Sequence, residues 1–174
     1  ERGYGKKDRG QFEHAGYVFG VTGAVAFYQR KMLEEIALES DYFDSDFHIF
    51  FEDLDISWRA HLCGWKGYYM PHARAYHLRG GTVRKSTGLN KNYDRRYLSD
   101  QLHFYLIKNR YLTIIKNESL SGFLLHLPCL LFYEIASWMY ILLFSRGVLR
   151  KFITEPVNWK SAWRKRELCK RKYG

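Results

Sequence analysis

Residues 42–81 read YFDSDFHIFFEDLDISWRAHLCGWKGYYMPHARAYHLRGG, and the fold turns on where a helix starts within them. Glu52 and Asp53 supply the acidic first turn that a helix N-terminus favours. Leu54, Trp58 and Leu62 then recur at i, i+4 and i+8, and Gly64 follows, so residues 52–63 are predicted helical with both ends defined. Before this helix, DYFDSDF (41–47) reads as a turn and 49–51 as an apolar stub. After it, 65–70 and 73–77 read as two short strands separated by Pro71. Upstream, YVFGVTGAVAFYQR (17–30) reads as a buried strand of small residues with a turn at its centre, and 31–38 as a short amphipathic helix. Residues 1–16 and the Gly-rich 80–94 read as loops, the second of them mobile. A long helix is predicted over 95–117, with Leu102, Tyr105, Leu106 and Leu112 on its apolar side. Strands alternating with helices place the first part of the chain, about 90 residues, in the α/β class, and no internal repeat is visible.

The chain has 174 residues, the size of one domain or part of a larger one. Hydrophobic residues make up 47% and aromatic residues 18%, which excludes a disordered or low-complexity chain. Cys63, Cys129 and Cys169 are far apart and include no CxxC pair, so neither a disulfide framework nor a zinc ribbon is supported. The net charge of +10 is unevenly spread. Residues 146–174 hold ten Lys or Arg and two Glu, a net +8, which leaves +2 for the rest. Nine of the 22 residues from 34 to 55 are acidic and none is Lys or Arg. Such a stretch repels a phosphate backbone. Just before the basic tail, LPCLLFYEIASWMYILLF (127–144) carries Glu134 as its only charge. This segment is at the lower limit for crossing a bilayer, and Pro128 and Glu134 speak against a clean span. An interfacial helix, a transmembrane helix and an ordinary core helix all remain open on sequence. Trp138, Tyr140 and the cations that follow suit an anionic, cytoplasmic membrane surface. The polar, Gly-rich opening does not read as a signal peptide.

The strongest chemical signal is the cluster Glu52-Asp53-Leu54-Asp55. A carboxylate at a helix N-terminus suits a base that takes a proton from a hydroxyl, although acidic residues favour first helical turns for structural reasons alone. Asp55 has Arg59 at i+4 as a ready surface partner. His61, His72 and His77 fit no zinc spacing, and His77 is the most interesting of them, ending a strand beside Arg79-Gly80-Gly81. Gly20, Gly23 and Ala24 lack the spacing of a nucleotide-binding loop. Asn117-Glu118-Ser119 matches a glycosylation sequon.

Taken in order, RGYGKKDRGQF (2–12), VFGVTGAVAFYQRKMLEEI (18–36), the quoted 42–81 and KNRYLTIIKN (108–117) resemble the C-terminal half of a family 2, inverting, GT-A-fold glycosyltransferase, closest to the bacterial rhamnosyltransferase-like members. The resemblance covers about residues 1–118. It implies the C-terminal part of a GT-A, Rossmann-like domain over 1–94, to which the composition adds amphipathic and hydrophobic helices over 95–174. It implies Asp53 as catalytic base, with Glu52 and Asp55 as carboxylate neighbours facing the acceptor. It places Gly23, Ala24, Trp58, Arg59 and Arg79 among the substrate-binding residues, and His77 at a divalent metal, Mg²⁺ or Mn²⁺. The remaining metal ligands and the nucleotide-binding half would lie before Glu1, so the chain reads as a fragment that does not bind the nucleotide by itself. The implied partners are a nucleotide-sugar donor, with rhamnose favoured, a lipid-linked or saccharide acceptor, and the cytoplasmic face of an anionic membrane. Nucleic acid is not among them. Two rival readings are an inactive membrane-docking fragment and a nucleic-acid module using the basic tail with Trp159 and Trp163.

Overall fold

The computed structural model describes residues 7–76 and 98–173. In chain order these form β1 (Gly16–Val18), a 3-10 turn (Gly23–Val25), α1 (Arg30–Ile36), α2 (Glu52–Leu62), β2 (Gly67–Tyr69), α3 (Asp100–Asn117), α4 (Leu120–Phe144), α5 (Arg146–Thr154) and α6 (Trp159–Tyr173). Helices dominate. The sheet among the described residues is two antiparallel strands, with Tyr17 opposite Tyr68.

Helix α2 runs as predicted, and Gly64 follows it at φ +80°, a conformation that only glycine adopts without cost. The expected strand over 17–30 is correct only at its start. Gly20 leaves the sheet to lie against α2, where an added Cβ would stand 2.2 Å from Ser57 Oγ and 2.5 Å from Ser57 Cβ. Residues 73–76 form no strand, and 77–97, with the expected loop, lie outside the described residues. Gly20→Ala is expected to lower stability by about 1–3 kcal/mol, the usual cost of overpacking. A urea titration reads this as a lower midpoint at constant slope; an unchanged midpoint would mean that the 19–22 segment does not need its seat on α2.

Three apolar clusters hold the helices. Met32 and Ile36 of α1 meet Ile56 and Ala60 of α2. Phe104 and Ile107 of α3 meet Ile141 of α4 and Val148 of α5. Phe47, Leu112 of α3 and Ala162 of α6 form the third. Helix α3 is thus central, packing against α2, α5 and α6. Ser99 caps it by accepting from Leu102 N at 3.3 Å, which sets its start at Asp100 rather than at residue 95. Its buried face also differs from the expected one. His103, Phe104, Ile107, Lys108, Asn109, Leu112, Thr113, Lys116 and Asn117 are buried, while Leu102, Tyr105 and Leu106 are only half-covered. The interior of this protein is partly ionic, so apolar periodicity alone does not locate it.

Helix α4 is long and apolar enough to cross a membrane by length and composition, and only 11% of its most apolar window is buried. Of the three readings left open for this segment, the open apolar surface favours the two that involve a membrane.

Candidate active site

The chain enters α2 through a strained turn. His48, Phe50 and Phe51 have φ of 57°, 69° and 70°, the left-handed region that costs a bulky residue roughly 1–2 kcal/mol. Such strain persists where surrounding contacts over-determine it. Here Asn109, fully buried on α3, reaches the carbonyl oxygens of Phe47, Ile49 and Phe50 at 2.8, 2.7 and 2.8 Å with its side-chain amide. Phe47 is buried against α3 and α6, which fixes the turn from the other side. The N-cap residue Phe51 offers α2 no side-chain cap, and within the first turn Leu54 N donates instead to the Asp53 carboxylate.

Glu52 and Asp53 stand at that N-terminus. Asp53 is half-buried; its Oδ1 accepts from Leu54 N at 2.8 Å and its Oδ2 from Gly23 N at 3.0 Å. Two N–H donors leave lone pairs on both oxygens. Gly23 and Ala24 lie exposed on the 3-10 turn above the pair, with the position of a Gly23 Cβ 3.7 Å from Asp53 Cβ and 4.0 Å from Glu52 Oε1. Glu52 Oε2 is covered and unpartnered, as is Tyr28 Oη. Burial, followed by the charge of Asp53, raises the Glu52 carboxyl above the ordinary carboxylate range. Burial also raises the Tyr28 phenol, helped by Asp53 and Glu52. Gly23, Glu52 and Asp53 therefore share one polar cluster, and the Tyr28 hydroxyl lies near enough to feel both carboxylates. Tyr28 had no signal in the sequence, being one aromatic in an apolar run.

Asp55 and Arg59 belong elsewhere, which corrects their assignment to the acceptor and substrate site. Both side chains are fully buried, with Arg59 Nε 3.0 Å from Asp55 Oδ2. The Arg59 guanidinium also donates to the carbonyls of Ile36 and Tyr42. Asp55 Oδ1 receives Lys116 Nζ at 2.6 Å and Asn117 Nδ2 at 2.8 Å. Lys116 bridges on to Asp44 at 2.6 Å, Lys165 of α6 pairs with Asp44 and Asp46, and Ser161 donates to Asp46 at 2.7 Å. This network takes up Asp44, Asp46 and Asp55 of the acidic stretch from 34 to 55. The cations are the protein's own lysines. Burial alone would raise the Asp44 carboxyl, but Lys116 and Lys165 hold it down at about 2. Burial works against the charge of Lys165 too, yet its hydrogen bonds to Asp44 and Asp46 hold its ammonium above the ordinary lysine value. The basic tail is thus partly an internal counter-charge. Arg166 likewise donates to the carbonyls of Ile115 and Glu118 at the end of α3.

Trp58 is half-buried and meets Phe19 edge-on, with ring centroids 6.1 Å apart. His61 stacks on Phe19, and its Nε2 lies 2.7 Å from Phe19 O, so this histidine is structurally satisfied. His77 and Arg79 lie outside the described residues. Among the described residues no three His, Cys, Asp or Glu side chains gather to hold a metal. Glu52 and Asp53 alone do not make a divalent-cation site. The sequon asparagine, Asn117, is buried on Asp55. No protein-family model, curated protein or solved structure matches the chain.

Proposed function

We propose that this chain is the acceptor-side part of an inverting glycosyltransferase of GT-A type, similar to the family 2 rhamnosyltransferases. The observation that carries the proposal is the Asp53 carboxylate, held at the N-terminus of α2 by Leu54 N and Gly23 N with lone pairs to spare. In the proposed reaction an acceptor hydroxyl gives its proton to Asp53 as its oxygen bonds to the anomeric carbon of a nucleotide-sugar. The bond from that carbon to the diphosphate oxygen breaks, the electron pair leaves with the diphosphate, and the configuration inverts. Glu52, the neighbouring carboxylate, would face the same acceptor. Gly23 and Ala24 would bring bare backbone to the sugars. The exposed apolar helix α4 supports a lipid-linked acceptor at the cytoplasmic face of a membrane, and a free saccharide is the other acceptor class. The test is release of nucleoside diphosphate from a set of nucleotide-sugars by the natural full-length protein. Release that requires added lipid-linked or saccharide acceptor supports the proposal; no acceptor-dependent release from any donor contradicts it.

A further inference from the structure

We infer that α4 lies in the plane of an anionic membrane surface and does not cross the bilayer. The inference holds whether or not Asp53 performs chemistry. It begins with the way α4 is attached. From Glu134 onward one face of α4 is fastened to the rest of the protein. Arg110 of α3 pairs with Glu134 at 2.8 Å, with its guanidinium over the rings of Tyr111 and Tyr133 at 5.3 and 4.8 Å. Tyr111 donates to Glu134, and Trp138 Nε1 donates to Tyr111 Oη at 2.8 Å. Ser137 and Ile141 are buried, and Ile141 shares a cluster with Phe104, Ile107 and Val148.

Length then decides between the two orientations. The whole helix of 25 residues would measure about 37 Å, ample for a hydrocarbon core of about 30 Å. The part before Glu134 contains no buried residue, but its 14 residues reach only about 21 Å. To span, α4 would have to take its fastened half into the hydrocarbon, and α3 with it. Beside the Glu134 contact α3 carries Lys108 and Arg110, and Lys108 Nζ is tied to Asp46 O. The buried network of Asp44 and Asp55 is joined to the same helix through Lys116. Lying flat needs no such transfer. Leu124, Leu125, Leu131, Phe132, Ile135 and Leu143 are each more than half exposed along the open side, enough apolar surface to sink into the acyl boundary. Charge complementarity names the lipid: Arg146, Arg150, Lys160 and Arg171 are exposed on the two helices that follow.

The experiment uses the full chain with vesicles of phosphatidylcholine containing about a third phosphatidylglycerol. Environment-sensitive labels are placed at single cysteines, Leu124→Cys, Leu131→Cys and Leu142→Cys, with Cys63 and Cys129 replaced by Ser, and depth is read by quenching with lipids brominated at different acyl positions. The expected result is one common shallow depth in one leaflet for all three sites, and vesicle binding that falls about tenfold or more when Arg146 and Arg150 are replaced by Gln. A profile deepest at residue 131, with 124 and 142 in opposite leaflets, would overturn the in-plane placement in favour of a span. No quenching at any site, with the chain dimeric in solution, would assign the face to a second copy instead. No quenching with a monomeric chain would leave the face without a lipid partner and equally overturn the inference. Native Cys129, exposed on the same helix, gives a variant-free check: vesicles should slow its reaction with a water-soluble maleimide.

Discussion

Asp53→Asn is expected to lower sugar transfer by about 10²–10⁴-fold, the range for loss of a general base. The substitution is nearly isosteric, and the amide oxygen can still accept one of the N–H groups that now meet the carboxylate, from Leu54 and Gly23. Stability should therefore change by less than about 1 kcal/mol, because the side chain is half-buried and lies outside the ionic core. The fall should appear in kcat and kcat/KM together, with donor binding nearly unchanged, as expected for an interaction made in the transition state. Near wild-type transfer by the variant would remove Asp53 from the role of base. Asp53→Glu is the useful companion, since it keeps the base but moves it by a methylene, and intermediate activity is the expected outcome.

Asp55→Asn should have the opposite signature: a loss of stability of about 3–5 kcal/mol, the cost of leaving buried charges without their partner. Arg59 and Lys116 are both at most 1% exposed in their side chains, and Asp55 is the carboxylate that both share. If Asp55 faced an acceptor, the same variant would lose activity at unchanged stability. A urea midpoint that does not move would thus return Asp55 to the site. Acid should attack the same network. The Asp44 carboxyl is held at about 2 in the folded protein against an ordinary value of 3.8. A depressed pKa means that the folded state binds its proton later than the unfolded chain does. The stabilisation is therefore complete above about pH 4 and is lost as pH falls toward 2, a difference of about 2 kcal/mol. At the alkaline end, the raised Lys165 ammonium stabilises below the ordinary lysine value, and this contribution is lost as pH rises through its folded value.

Helix α2 was legible in the sequence because each of its signals is local: acids in the first turn, one apolar stripe, and a glycine at the end. The Glu52-Asp53 pair was legible for the same reason. Its surroundings were not. The three left-handed residues before α2 carry no glycine or asparagine to announce the turn, because the force that holds them comes from Asn109, about 60 residues away. Nor does the acidic run of 34–55 disclose its partners. Lys116 and Lys165 lie 72 and 121 residues from Asp44, and sequence spacing cannot pair them. Read as a sum, the +8 tail looks like a surface property. Residue by residue, Lys165 and Arg166 face inward, and the outward charge is smaller than the count implies. Arg59 shows the limit of spacing in another way: its i+4 relation to Asp55 was evident, but nothing local says that the pair is buried.

A single displacement with Asp53 as base makes one stereochemical demand. The full-length protein would be given an α-linked nucleotide-sugar and an acceptor, and the anomeric configuration of the first product determined by NMR before any further reaction. Transfer with inversion, giving a β-linked product that Asp53→Asn forms at least about a hundredfold more slowly, is the predicted result. An α-linked product, or a β-linked product formed equally fast by the variant, would contradict it.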